Sequence, residues 1–313
     1  MTKMTEFTFL STDGRTQLHG MLWEPEGVAV RAVLQICHGV AEHIARYDGF
    51  ARALNEQGIV VAGHDHLGHG KSLPEGGTPV YFGDGNTWNT VVDDIYVLHQ
   101  RLKQRYPDVP LCIMGHSMGS FLTRTYLIRY PGTVKAAVIM GTGWQPRAAI
   151  TGGLALANAI AAVSGENATS ELVTELAFGS YNKLFAPNRT KVDWLSADES
   201  NVDDYIADPL CGADATVGLF RQMLHGIRFN QRQSHLRQMD REMPVLFVAG
   251  DKDPVGSCGK GVRQTYDAFR AAGMRDCTLK LYPGLRHEIL NEKAYAADIT
   301  KNIEAWLLSR LEK

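Results

Sequence analysis

A serine with glycine two residues away on either side, in Gly115-His116-Ser117-Met118-Gly119, constrains the fold of this chain most strongly. An apolar stretch from Leu111 to Met114 comes before it and is typical of a buried strand. The pattern from Phe121 to Tyr130 after it is that of a helix, which Pro131-Gly132 would end. A serine at such a junction must take a strained turn, and the flanking glycines leave room for that turn. We therefore predict a strand–turn–helix unit with the Ser117 hydroxyl raised above the sheet edge; the alternative is a serine that only caps the helix.

Strands and helices alternate on both sides of this unit. The first thirty residues alternate around Thr12-Asp13-Gly14 and predict an antiparallel hairpin. Further strands are predicted at 32–37, 59–62, 134–140, 244–249 and 278–282, and helices at 47–57, 91–102, 261–272 and 293–311. This order, with apolar strands of the buried type, predicts an α/β fold whose mostly parallel sheet carries helices on both faces.

The alternation stops after Gly143. Residues 144–240 have helical periodicity and polar loops without a convincing strand. We predict that residues 1–143 and 241–313 form one core, and that 144–240 form a helical cap inserted into it.

A general base is predicted at His287. It is the one histidine of eleven that lies between the last strand and the terminal helix. Loops at the carboxyl ends of parallel strands share one crevice, so His287 is expected to face Ser117 and to remove its proton. A histidine on a surface loop is the alternative.

The base needs an acceptor that fixes its tautomer, and Gly250-Asp251-Lys252-Asp253 offers two. Asp253 is favoured over Asp251 because nucleophile, acid and base would then follow the chain order of α/β-hydrolases. The G-x-x-D spacing also places Asp253 at the tip of the loop.

Two backbone amides are expected to bind the oxyanion of the tetrahedral intermediate. One is the N–H of Met118, directly after the nucleophile. The other is predicted at Val40, since Gly39 before it lets the chain turn the next amide inward.

Several motifs together resemble the monoacylglycerol lipase and lysophospholipase group of α/β-hydrolases. They are His38-Gly-Val-Ala-Glu-His43 with Arg46-Tyr47, Asp65-His-Leu-Gly-His-Gly-Lys-Ser72, the motif at Ser117, Asp208-Pro209-Leu210, and His287-Glu288 with Asn291-Glu292. The resemblance implies a cofactor-free serine carboxylesterase that acts on single-chain lipid esters or small acyl esters under a helical cap. Val40-Ala41 stands where those lipases usually carry Ala-Gly, which predicts a narrower oxyanion loop. Acyl length, leaving alcohol and oligomeric state stay open.

Charge and cysteine content limit the partners and the cellular location that we expect. There are 34 acidic and 32 basic residues without a run of five like charges, so no nucleic-acid partner is expected. Five scattered cysteines without a C-x-x-C pair, and a polar start to the chain, predict a cytoplasmic protein with reduced thiols. The most apolar segment, Gly153 to Val163, is expected to be too short to span a membrane.

Some residues suggest functions other than that of a serine hydrolase. His64, His66 and His69, with Asp65 and Asp253, suggest a dinuclear metallohydrolase, although the same stretch reads as a glycine-rich turn. A non-catalytic receptor on this fold would be expected to lack a member of the triad. A dehalogenase would need aspartate at position 117.

Within the fold, a thioesterase or a serine aminopeptidase would share the core. An aminopeptidase should carry carboxylates in its cap, and five candidates are present: Asp198, Glu199, Asp203, Asp204 and Asp208. A solvated or helix-capping role is favoured for them.

Apolar cap residues are expected to pack on the core, and some to line an acyl channel or a patch that transiently meets micelles or membranes. They are Leu172, Leu176, Phe178, Phe220, Met223 and Leu224. Cys258, close to Asp253, predicts that thiol alkylation affects activity.

Overall fold

A computed structural model describes residues 1–311 and contains one eight-stranded sheet in the order β1-β2-β4-β3-β5-β6-β7-β8. The strands are β1 (Thr2–Leu10), β2 (Gln17–Pro25), β3 (Ala32–Cys37), β4 (Ile59–His64), β5 (Leu111–His116), β6 (Ala136–Met140), β7 (Val245–Gly250) and β8 (Cys277–Tyr282). The predicted hairpin is confirmed, since β1 pairs antiparallel with β2. From β4 to β8 every pairing is parallel, because helical crossovers connect these strands.

The helices lie on both faces of the sheet, as predicted. They are α1 (Asp48–Asn55), α2 (Thr87–Arg105), α3 (Met118–Arg129), α4 (Arg147–Ser164), α5 (Glu171–Thr174), α6 (Ser180–Lys183), α7 (Glu199–Ala207), α8 (Val217–Asn230), α9 (Gln233–Leu236), α10 (Lys260–Ala271) and α11 (Ala296–Leu311). Alternate residues of β3 enter opposite cores: Val33 packs in the core with α2 and α3, and Leu34 in the core with α1 and α11. Two-sided burial explains why the strands are apolar without alternation.

Between β6 and β7 the described chain contains helices and one isolated bridge, Thr169 with Thr216. We call residues 144–240 the cap segment. Its helix α4 packs against α8, and α8 packs against α3 of the core. The cap segment therefore lies above the carboxyl end of β5, where Ser117 follows.

Helix α4 corrects one expectation about the apolar segment. It begins six residues before Gly153 and reaches 18 residues, so by length and composition it is able to cross a membrane, and 17% of its residues are buried. The segment is therefore not too short. In the described chain it is the one helix with this property.

Candidate active site

Ser117 occupies the predicted strained turn. It lies between β5 and α3 with φ 53° and ψ −121°, a conformation that costs an L-residue on the order of 1–3 kcal/mol. Its amide donates to the carbonyl of Met140 (3.0 Å), and it is 9% exposed. Helix α3 begins directly after it, three residues earlier than the sequence pattern indicated, because the turn itself starts the helix.

The two flanking glycines are required by close backbone contacts. A Cβ on Gly115 would lie 2.2 Å from the carbonyl oxygen of Gly119, and a Cβ on Gly119 would lie 2.0 Å from that of Cys37. Helix α3 is thereby held against β3 and β5, and the motif is a packing requirement as well as a chemical one.

Asp253 and His287 are brought together by the loops after β7 and β8. The Nδ1 of His287 lies 3.0 Å from Oδ1 of Asp253, and both side chains are buried. The same Oδ1 accepts from the Val255 amide (2.9 Å), which fixes the carboxylate. Asp251 accepts instead from the Gly284 amide (2.8 Å) and so shapes the turn.

His287 lies beside His116, the residue before Ser117, and makes no direct hydrogen bond with the serine. The ring of His116 lies 4.7 Å from that of His287, and a Cβ on Gly141 would lie 3.0 Å from Cε1 of His287. Within residues 1–311 the Ser117 hydroxyl makes no hydrogen bond. Contacts between such a nucleophile and its base often tighten only in the substrate complex.

Val40 and Met118 line the same pocket as Ser117. The Met118 amide is at the first position of α3, where no carbonyl of the helix is available to it. The loop with Val40 abuts the serine, since a Cβ on Gly39 would lie 3.1 Å from Cβ of Ser117. Ala41 has φ 53°, so this loop is strained as well. Both residues predicted to supply the oxyanion donors thus lie beside the serine.

Glu42 anchors this loop from below. Its Oε1 accepts from the Gly39 amide (2.5 Å) and the Tyr47 hydroxyl (3.0 Å) and lies 3.2 Å from Nδ1 of His116, while its Oε2 accepts from Arg46 (3.0 Å). Burial disfavours the charge, yet the hydrogen bond with His116 and the charge of Arg46 hold the pKa of Glu42 well below 4.5. Burial would lower the pKa of His116, but the bond to Glu42 and its charge raise it above 6.5. A buried, charged pair thus lies between the oxyanion loop and His287.

Arg46 and Glu288 join this network to the cap segment. The guanidinium donates to both oxygens of Glu288 (2.8 and 2.7 Å), and Asn201 of α7 donates to the same carboxylate (2.9 Å). The amides of His287 and Glu288 both donate to the Leu195 carbonyl. In the sequence, Glu42, Arg46 and Glu288 stand out only as parts of motifs. Their spacing does not predict that they contact one another.

The histidines proposed as metal ligands do not converge. The ring centroids of His64 and His66 lie 5.1 Å apart, and those of His66 and His69 lie 6.5 Å apart. Both pairs of rings pack edge to face. Burial and the neighbouring His38 lower the pKa of His64 to about 3, so it is a neutral core residue. Asp65 accepts from the amides of Ile44 and Lys71. The metallohydrolase interpretation of these residues is therefore not supported by their geometry.

His43, Asp208 and Cys211 are the one group in the described chain whose His, Cys and carboxylate atoms all lie within 4.8 Å of one another. The Nε2 of His43 is 2.8 Å from Oδ2 of Asp208, which ties the cap segment to the oxyanion loop. Burial raises the pKa of the Cys211 thiol, which opposes thiolate formation.

A pocket of about 480 Å³ opens above Ser117 between the core and the cap segment. Among the predicted channel residues, Leu176, Phe178, Phe220, Met223 and Leu224 line it, whereas Leu172 does not and is 54% exposed. Residues of α4 also line it, which periodicity alone did not reveal: Ala149, Ile150, Gly152, Gly153, Leu156 and Ala157. The residues that line the pocket include Gln145, Ser180 and Tyr181 but no charged side chain.

The five acidic candidates of the cap segment lie away from this pocket. Asp198 caps α7 by accepting from the Ser200 amide, Asp203 pairs with Arg189, and Asp208 contacts His43. Glu199 and Asp204 also pair with basic side chains. The geometry therefore favours a solvated or helix-capping role for these residues over binding of a substrate amine. Cys258 is exposed, and its amide donates to the Asp253 carbonyl (2.8 Å).

Comparison with known proteins gives one family and several relatives of similar length. A model of the family described as "Serine aminopeptidase, S33" matches residues 28–294. A monoacylglycerol lipase of Mycolicibacterium smegmatis is 31% identical over 295 residues, covering 93% of this chain and 92% of the relative. The monoglyceride lipase of Mus musculus is 28% identical and covers 92% and 86%.

Among solved structures, a thermostable carboxyl esterase from Bacillus coagulans in complex with glycerol is closely similar. Its TM-score is 0.91 at 26% identity, and the match covers 98% of this chain and 99% of the esterase. The similarity includes the cap segment as well as the sheet.

Proposed function

The chain belongs to the serine aminopeptidase S33 family and is a serine hydrolase of carboxylic esters, and we propose from this premise that it cleaves monoacylglycerols, uncharged esters with one acyl chain. The observation that carries this proposal is the pocket above Ser117, which is largely apolar and has no charged side chain in its lining. Its volume of about 480 Å³ suits one acyl chain and a small neutral alcohol. The names of the relatives, monoacylglycerol lipases, support the same substrate.

In the proposed mechanism, Ser117 attacks the ester carbonyl while His287 takes its proton. Asp253 orients the imidazole and stabilises its charged form. The amides of Val40 and Met118 hold the oxyanion, each contributing roughly 3 kcal/mol. His287 then gives the proton to the departing glycerol, and a water that His287 deprotonates releases the fatty acid from Ser117.

The aminopeptidase alternative lacks a partner for a substrate amine. A protonated amino group in a largely apolar pocket needs a carboxylate to offset its desolvation, and no acidic residue lines this pocket. The same argument disfavours lysophospholipids, whose headgroups are charged. A thioester differs little in polarity from an ester, so only direct comparison separates those two substrates.

We also propose that α4 meets the micelle or membrane that carries the substrate. Its inner residues line the pocket, and its outer face is largely exposed, with Val163 at 88%. Leu172, Leu176 and Leu184 of the cap segment are also more than half exposed and add to its apolar surface.

A substrate panel tests the proposal: kcat/KM for monoacylglycerols of rising chain length, lysophosphatidylcholine, an acyl thioester and aminoacyl naphthylamides. Monoacylglycerol should be preferred over lysophosphatidylcholine by at least about tenfold, a difference of about 1.4 kcal/mol. Ser117→Ala should lower turnover about 10⁶-fold, whereas Ser234→Ala, at an exposed serine of α9, should not change it. Preferred cleavage of the naphthylamides, or wild-type turnover by Ser117→Ala, would refute the assignment.

A further inference from the structure

A second cavity of about 470 Å³ lies on the side of α8 that faces away from the active-site pocket. It is lined by Gly85, Asn86, Trp88 and Asn89 at and just before the start of α2, and by residues of α8 and the turn after it, up to Arg232. Its volume nearly equals that of the pocket above Ser117. The proposed ester hydrolysis uses none of the residues in this cavity.

Helix α8 separates the two cavities with two chemically different faces. Phe220, Met223, Leu224 and Ile227 face the active-site pocket. Arg221, Gln222, His225 and Arg228 line the second cavity. Such a division follows from the helical period, which places residues three and four apart on one face. The face of α8 that lines the second cavity is therefore polar and cationic.

Positive charge dominates the second cavity. Three arginines and one histidine line it, and no aspartate or glutamate does. Arg221 is paired with Glu166 (2.5 Å), and Arg228 donates to Nδ1 of His225 (3.1 Å). Within residues 1–311, neither Arg228 nor Arg232 has a carboxylate partner. Burial, together with the charges of Arg228 and Arg221, lowers the pKa of His225.

The start of α2 lines the same cavity. This helix has 19 residues, and Asn86 at its start makes no side-chain capping bond. Gln222 accepts weakly from the Trp88 amide (3.4 Å) and donates to the Gly85 carbonyl, which fixes the helix end against α8. Two acidic residues of this region do not line the cavity: Asp84 accepts from the Tyr81 hydroxyl, and Asp93 pairs with Arg129.

We propose that this cavity binds a phosphate group, carried by a small phosphate monoester or by an anionic lipid headgroup. Arg228 and Arg232 supply the charge, since planar guanidinium groups bind phosphate oxygens in pairs. The positive end of α2 and the amides of Asn86 and Asn89 complete the donors. The volume of the cavity leaves room for more than the phosphate itself.

Calorimetric titration of the full chain with inorganic phosphate and with glycerol 3-phosphate, at constant ionic strength, tests this site. Saturable binding of one equivalent is expected, with Kd raised at least about tenfold in R228A/R232A. Arg237→Gln, at an exposed arginine outside the cavity, is the matched control and should change Kd less than twofold. Thermal unfolding without phosphate reports whether each variant is folded.

Flotation with phosphatidylcholine vesicles, with and without phosphatidic acid, identifies the source of the phosphate. Binding that is lost in R228A/R232A supports the site. Binding to a soluble phosphate identifies a phosphate monoester as the ligand, and binding only to vesicles with phosphatidic acid identifies a lipid headgroup. The proposal is refuted if the chain binds neither a soluble phosphate nor the acidic vesicles. It is also refuted if Arg237→Gln weakens binding as much as R228A/R232A does. S117A should bind as the wild type does, so a failure of the proposed hydrolysis would leave this result unaffected.

Discussion

Replacing Glu42 by glutamine should destabilise the protein and should do so most strongly near pH 6. Glutamine keeps an oxygen for the Gly39 amide and the Tyr47 hydroxyl, which both bond Oε1. It turns an amide toward Arg46, whose bond to Oε2 is lost, and it removes the negative charge beside His116. A buried hydrogen bond to a charged group contributes about 1.5–3 kcal/mol. Because Arg46 retains both contacts with Glu288, we expect a loss of about 3 kcal/mol in the free energy of unfolding rather than more.

The pH dependence follows from the two shifted groups. The pKa of Glu42 is lowered, so its contribution is present above 4.5 and is lost as the pH falls through the folded value. The pKa of His116 is raised, so its contribution is complete below 6.5 and is lost as the pH rises through the folded value. The destabilisation by Glu42→Gln should therefore be largest between these limits and smaller at pH 9.

Urea unfolding followed by circular dichroism at pH 6 and pH 9 measures this effect, and p-nitrophenyl butyrate reports activity. The kcat should fall roughly tenfold with little change in KM, since the loop with Val40 loses support but keeps its donor; complete loss of one donor costs about 10²–10³-fold. Glu56→Gln, at an exposed residue after α1, is the control. A cost at pH 6 below about 0.5 kcal/mol, within the range of ordinary surface changes, would refute the reasoning, as would a cost independent of pH.

Three further substitutions test other parts of the site. Asp253→Asn should lower kcat about 10⁴-fold, because the amide would donate to Nδ1 of His287 and fix the wrong tautomer; an effect below tenfold in steady-state assays would place the acid elsewhere. Gly119→Ala would put a Cβ 2.0 Å from the Cys37 carbonyl and should cost about 3 kcal/mol, measured as a lower Tm, whereas an unchanged Tm would show that α3 is free to shift. His38→Ala would leave the Gly39 carbonyl and the His66 amide without the ring that bonds both, at 2.7 and 3.0 Å. This substitution should reduce kcat more than it raises KM. Equal changes in kcat and KM would argue against the idea that the His38 ring supports the Val40 amide.

The sheet, the turn at Ser117 and the order of the site residues were predictable from the sequence. Buried parallel strands require continuous apolar segments, and the turn requires glycine at 115 and 119, so both leave local patterns. The loops after β7 and β8 carry Asp253 and His287, and parallel topology alone places those loops beside Ser117. The choice of Asp253 over Asp251 agrees with the contact between Asp253 and His287 in the structure.

What surrounds those residues was decided by tertiary structure. The contacts among Glu42, Arg46, His116 and Glu288 join residues up to 242 positions apart, and no local period relates them. The length of α4 was underestimated because the apolar segment was counted only from Gly153, whereas the helix begins at Arg147 and its first residues are interrupted by the polar Arg147 and Thr151. His64, His66 and His69 have the spacing of metal ligands, yet their rings pack edge to face against one another in the core.

The sequence by itself therefore determined the fold and the residues that the chemistry needs, since those are fixed by backbone geometry within short segments. The tertiary structure decided which side chains hold that chemistry in place, what lines the pocket, and how α8 presents an apolar face to one cavity and a cationic face to another. These properties depend on contacts between distant segments, because burial and the partners of each charge arise only when the chain is packed.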